Sequence, residues 1–260
     1  SNLEQNELRP ALMAEGILIL DHDELRESKK KELDQYFFRF VQPIISPLAV
    51  DIGHPFPFIS SLSLNLAITV HRADLNQPLF IRLKVPTNRP RWVKVAEAGF
   101  VPLEQLMEAN LEQLFPQSTK IECHLFRVIR GAKDDPWDHY PVKNHEESEY
   151  EPGGLIDMVS GELTARRFAG VVRLQVSLGM PDDLKFWICR QLEADEEDIH
   201  EIEGLLSLTD LARFNSEGRA DLQYPPHIPV VHPRLRNHDT EDPDSFFAEI
   251  RKGDLLLHHP

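Results

Sequence analysis

An α+β fold is predicted, with a mixed, largely antiparallel sheet and packed helices. Three observations predict it. Four stretches alternate apolar and polar residues with the period of a strand packed on one face. Stretches of helical period interrupt those strands in mixed order. Prolines, at 20, outnumber the 12 glycines, which suits stiff connections. The 260 residues, 41% hydrophobic and 27% charged, suffice for one large domain or two modest ones.

The first predicted helix covers residues 24–42. Asp21 and Glu24 stand at capping-box spacing, and Leu20 with Leu25 forms a hydrophobic staple. Leu33, Tyr36, Phe37, Phe40, Val41 and Ile44 then recur on one face, and Pro43 ends or kinks the helix. Residues 3–20 read as the tail of something truncated, with too few apolar residues for a core of their own. Pro43, Pro47, Pro55 and Pro57 forbid both helix and central strand over residues 44–59.

The cleanest strand follows, with Leu62, Leu64, Leu66, Ile68 and Val70 inward and Ser61, Ser63, Asn65, Ala67 and Thr69 on a wet face. A second strand points Leu79, Ile81, Leu83 and Val85 inward and Arg82 and Lys84 outward. A third covers residues 121–129. A fourth sets Val172, Leu174, Val176 and Leu178 against Arg173, Gln175 and Ser177. Helices are predicted over 103–114, opened by Pro102 at a first-turn position, over 155–168, from Pro181 through Leu192, and over 243–252, closed by Gly253. Residues 131–154 read as a long surface loop, and residues 224–233, with four prolines, as an extended strap.

Charge narrows the function classes. The formal net charge of −15 argues against nucleic-acid binding driven by the phosphate field. A local basic stretch nevertheless exists: Arg72, Arg82, Lys84, Arg89, Arg91 and Lys94 face only Asp74 and Glu97 over residues 61–100. It reads either as the outer side of a half-exposed sheet or as a surface for a polyanion or acidic partner. Residues 182–203 carry nine carboxylates and two cations, without calcium-loop spacing. No apolar run approaches the roughly 18 residues of a membrane span. The start has no signal-peptide pattern, and two cysteines cannot build a disulfide framework, so a reducing cytoplasm is expected.

Specific catalytic signatures are absent: no phosphate-binding glycine loop, dinucleotide fingerprint, nucleophile elbow or HExxH pair. His139, His145 and Glu146, and then His227, His232 and His238, are metal-ligand types with nothing to fix their geometry. His124 is read as an exposed sheet histidine, Cys123 as a small buried hydrophobe, and Glu104 with Glu108 as a solvated helix face.

Seven runs stand in order along the chain: Ser46-Pro47-Leu48-Ala49-Val50-Asp51, His54-Pro55-Phe56-Pro57-Phe58, Ser61-Leu62-Ser63-Leu64-Asn65-Leu66, Phe126-Arg127-Val128-Ile129-Arg130, Arg166-Arg167-Phe168-Ala169-Gly170-Val171-Val172-Arg173-Leu174, Tyr224-Pro225-Pro226 and Asp254-Leu255-Leu256-Leu257-His258-His259-Pro260. Together they resemble segments of the long, ATP-dependent polyphosphate kinases. The resemblance implies transfer of phosphate from ATP to polyphosphate, reversibly and through a phosphohistidine, with ATP and Mg²⁺ required by the parent enzyme. It implies that residues 1–45 end a helical N-terminal domain, 46–250 form the α+β middle or head domain, and 251–260 begin a catalytic domain. Catalytic, cofactor-binding and metal groups are then expected outside this chain, which acts as a non-catalytic head and dimerisation module. Arg251, Lys252, His258 and His259 are the candidate contacts to the substrate path, since they lie nearest the catalytic half. Partners implied are a second copy of the chain, polyphosphate and ATP, with no nucleic acid and no transmembrane segment. The rival reading is a free-standing anion- or metal-binding α+β module without kinase activity.

Overall fold

The structure, a computed structural model, describes residues 3–50, 55–75, 77–95, 99–131, 170–216, 219–225, 232–235, 243–254 and 256. The chain divides into two compact units, Ser1–Asp210 and Leu211–Pro260.

In the first unit the opening segment is helical: a π turn over Glu4–Leu8 runs into α1 (Arg9–Ala14). It then enters the short strand β1 (Leu18–Ile19). This segment is no loose tail. Ile17 and Ile19 are buried, and β1 pairs in parallel with β6 (Gly99–Pro102), itself antiparallel to β5 (Trp92–Val95). The approach is close: a Cβ at Gly99 would stand 2.6 Å from the Leu20 side chain. This small sheet, with only two to four residues per strand, is too short to leave a periodic trace in sequence.

The first predicted helix begins later than its capping box suggests. Residues His22–Glu24 form a 3-10 turn and α2 covers Glu27–Tyr36. The Asp21 carboxylate caps nothing, because it accepts from Arg9 (2.8 Å) and from Gln105 (2.8 Å). Beyond α2 the chain stays helical through a π turn (Phe37–Val41) and a 3-10 turn (Gln42–Ile44) that contains Pro43. Leu33, Phe37 and Val41 are its buried face.

The main sheet has six strands: β2 (Leu48–Val50), β3 (Leu64–Arg72), β4 (Leu79–Lys84), β7 (Ser118–Arg130), β8 (Val171–Ser177) and β9 (Ile199–Ile202). Their order is β2-β4-β3-β7-β8-β9, antiparallel except for the parallel pair β8–β9. The proline-rich stretch does contain a strand, β2, but it lies at the sheet edge, where missing donors are tolerated.

The wet face predicted for β3 is mostly covered: Ser63, Asn65 and Ala67 are buried, Thr69 is half-buried, and Ser61, ahead of the strand, is exposed. On one side Leu64, Leu66, Ile68 and Val70 pack with Leu83, α2, the small sheet and α3 (Leu103–Ala109). On the other, Ala67, Phe80, Phe126, Leu174 and Val176 pack against Ile188 and Cys189 of α5 (Asp182–Gln191). Asn65 and Ala67 are therefore fully buried and Arg82 nearly so. Alternation recorded a change of chemistry between faces, not exposure.

Two phase errors have local causes. Leu62 is exposed and sits outside β3 with φ +64, in the left-handed region. In β8 the pairing shifts between Ile129 and Arg130, so that Arg130 meets Val171 while Ile129 meets Arg173. Val172 is the extra residue of this bulge and is half-exposed, whereas Val171 turns inward. Leu178, beyond the strand, is also exposed.

Pro102 is both the last residue of β6 and the N-cap from which α3 starts at Leu103, one position ahead of the first turn, and the helix predicted over 103–114 breaks at Asn110 into α3 and α4 (Leu111–Leu114). Asn110 donates to Asp34 (3.1 Å) and to the Leu106 carbonyl (3.0 Å). In the second unit, α6 (Pro243–Arg251) is closed by Gly253, φ +132. The helix expected at 155–168, the loop at 131–154 and residues 226–231 of the strap lie outside the described residues.

Candidate basic site on the main sheet

The six cations of residues 61–100 do not form one outward face. Arg72 pairs at the surface with Asp74 at 2.7 Å, and Lys94 is exposed, 6.0 Å from the Phe100 ring centroid. Arg89 lies 5.8 Å from the Phe40 ring, which also receives Arg39 at 5.1 Å. Arg82 and Arg91, expected outside, are buried.

Arg91 is a tie between segments. Its guanidinium donates to Glu104, to the carbonyls of Leu206 (2.7 Å) and Ser207, and to Asp210 (3.1 Å), while Trp92 Nε1 donates to the Asp210 carbonyl at 2.8 Å. Burial works against this charge, but Glu104 and Asp210 outweigh it and hold the pKa above the ordinary arginine value. Glu104 is thus fully buried and paired, not the solvated residue expected; Glu108 is exposed. Removing either partner would strand a buried charge, at about 3–5 kcal/mol.

Arg82 is a different case. Its Nε donates to Asn65 Oδ1 at 2.8 Å, and Asn65 Nδ2 donates to the Ser63 carbonyl at 2.8 Å. Ser63 Oγ donates to the Ser60 carbonyl, and Ser60 Oγ accepts from Lys84 (3.2 Å). Burial alone pulls the Arg82 pKa down. This chain of bonds fixes the turn ahead of β3.

The β7–β8 side of the main sheet brings together sequence runs that stand far apart in the chain. Leu62 N donates to the Val128 carbonyl (2.8 Å), Arg127 Nε to the Leu62 carbonyl (3.1 Å) and Arg127 Nη1 to Gln175 (2.9 Å). Arg130 Nε donates to the Ile59 carbonyl (2.9 Å), and its guanidinium stands 4.5 Å from the Phe58 centroid. In β-sheet register Arg127 faces Gln175, Ile129 faces Arg173 and Gln175 faces His200. Arg127 and Arg173 are therefore diagonal neighbours on one face, about 7 Å apart at Cβ. Burial depresses the Arg127 pKa, and the nearby Arg91 and Arg173 charges add to this against Asp210.

The remaining candidates scatter. Arg251 and Lys252 lie exposed in the second unit, Lys252 paired with Glu249. Arg234 caps that helix end by donating to the carbonyls of Glu249, Gly253 and Asp254. His258 and His259 lie outside the described residues, as do His139, His145, Glu146, His227 and His238. His232 Nδ1 accepts from the Arg234 backbone. Among the described residues no group of three or more His, Cys, Asp or Glu is arranged to hold a metal ion. His124 is half-buried, not exposed, and burial lowers its pKa against Glu122. Burial pushes the Cys123 thiol well up, with Glu108 adding to it, which suits the expected apolar packing. A polar cavity of about 170 Å³ is lined by Glu4, Arg9, Asp21, Glu104 and Gln105, among others. Its carboxylates are largely engaged already, Asp21 by Arg9 and Glu104 by Arg91.

Comparison with known proteins places this fold in a class. Residues 28–214 match the family model described as the polyphosphate kinase middle domain. The chain belongs to the polyphosphate kinase family. It is 38% identical to the polyphosphate kinase of Mycolicibacterium gilvum (strain PYR-GCK), over 97% of this chain and 34% of that protein. It is also 38% identical to that of Aphanizomenon baltica, over 98% of this chain and 69% of that protein. The chain thus spans about a third of the length of the first of these relatives. Its fold matches the crystal structure of polyphosphate kinase from Porphyromonas gingivalis with a TM-score of 0.67 at 18% identity, over 91% of this chain and 33% of that one. Among the described residues no helix is long and apolar enough to cross a membrane.

Proposed function

We propose that this chain is the middle module of an enzyme that transfers the terminal phosphate of ATP to a growing inorganic polyphosphate chain, reversibly and through a phosphohistidine. The observation that carries this reading is the match of residues 28–214 to the polyphosphate kinase middle domain. On this reading residues 1–45 end a helical domain, 46–250 are the head and 251–260 lead towards the catalytic part. The reacting histidine and the groups that bind ATP and Mg²⁺ belong to the length of the relatives that this chain does not span. The module is a cytoplasmic scaffold that holds two protomers together. The scaffold role is supported by how the buried cations are used: Arg91 and Arg82 hold backbone and turns in place.

The test uses γ-labelled ATP and Mg²⁺. The 260-residue chain alone yields no labelled polyphosphate and scatters light as a dimer, while a longer protein that carries it yields polyphosphate. Synthesis by the chain alone would overturn the scaffold reading, and a longer protein without synthesis would overturn the family activity.

A further inference from the structure

The β7–β8 arginine pair has a charge balance that its own surroundings do not close. Arg127 spends Nε and Nη1 on Leu62 and Gln175. Arg173 makes no hydrogen bond or ion pair among the described residues, and its Nε is buried without an acceptor. Among the described residues the carboxylate that acts on Arg127 is Asp210, and it already bonds Arg91, as does the buried Glu104. The guanidiniums of Arg91, Arg127 and Arg173 thus share these two carboxylates, both engaged by Arg91. Like charges set side by side on a sheet cost stability, and a guanidinium left without an acceptor costs more. Gln175 and His200, on the same face, add further polar groups and no negative charge.

We propose that Arg127 and Arg173, flanked by Gln175 and His200, form a binding site for a linear inorganic phosphate chain. The planar guanidinium fork suits non-bridging phosphate oxygens, and two forks in a row suit a ligand that repeats its charge. The site rests on the polyphosphate reading above for the identity of the anion, and on the unpaired Arg173 for its place. Arg82 is excluded as the primary contact because its burial and its bond to Asn65 make it structural.

Arg173 makes the test clean, since replacing it removes no hydrogen bond among the described residues. Inorganic tripolyphosphate is titrated calorimetrically into the 260-residue chain at fixed ionic strength, with sulfate and ATP as separate arms. Arg173→Gln is expected to weaken tripolyphosphate binding roughly tenfold, the loss of one charge-assisted contact, with a melting temperature no lower than that of the wild type, since it relieves a like-charge pair and a buried unpaired donor. Arg173→Lys retains part of the affinity, and Lys94→Gln retains all of it. Equal affinity in wild type and Arg173→Gln overturns the site, as does binding of ATP but not tripolyphosphate, or of sulfate as tightly as tripolyphosphate. In parallel, polyphosphate synthesis is measured in the longer protein. Synthesis with no effect of Arg173→Gln on tripolyphosphate affinity sinks the site alone; absence of synthesis sinks the functional reading, whatever tripolyphosphate does.

Discussion

Asp21 shows how one residue can carry a correct signal for the wrong reason. Its place three residues before Glu24 suggested a helix cap, yet its carboxylate binds Arg9 and Gln105 and so links the opening helix to α3. Burial alone would raise its pKa, but the bonds from Arg9 and Gln105 outweigh burial and hold it below the ordinary aspartate value. The sign follows by linkage. A carboxylate whose pKa is depressed on folding adds stability that is present above the unfolded value, about 3.9, and is lost as pH falls through the folded one. Asp21→Asn should therefore lower stability near neutral pH and flatten the acid limb. Urea midpoints of wild type and variant taken from neutral to acid pH check this, and parallel curves would refute it. No spacing rule reveals such a partner, because Asp21 and Gln105 are 84 positions apart.

Elements were legible where hydrophobic periodicity ran long. The helix through Leu33, Phe37 and Val41 and strands β3, β4, β7 and β8 all stand where their patterns put them, within a few residues. What failed was phase and exposure. A bulge moves one residue out of register without altering composition, so Val172 was read as inward and Val171 not at all. This contrast is testable. Val172→Ser, on the exposed bulge, should change stability by less than about 0.5 kcal/mol. Val171→Ser, which sets a hydroxyl into the packed second face, should cost about 2 kcal/mol or more. Chemical denaturation of the two variants decides, and equal losses would refute the bulge assignment. The arginine pair was equally hidden, since Arg127 and Arg173 meet only through strand pairing across 46 positions. The one trace was that both fall within the runs that resemble the family.

At the scale of the whole molecule the net charge of −15 and the local arginine pair oppose one another. The resemblance was broad enough to place the family from sequence, whereas charge totals alone pointed away from any phosphate ligand. The two fields differ in range, and salt separates them. At about 0.01 M the Debye length is roughly 30 Å, and an approaching tripolyphosphate feels the whole acidic molecule; at 0.15 M it is about 8 Å, and only the charges around Arg127 and Arg173 remain in view. Long-range repulsion then fades before the contacts do. The association rate of tripolyphosphate should therefore rise between these salt concentrations. The dissociation rate should rise as well, because screening also weakens the bound ion pairs. Stopped-flow mixing of the 260-residue chain with tripolyphosphate over this range measures both rates. An association rate that falls steadily with salt would mean that the anion is steered by a basic surface larger than this pair.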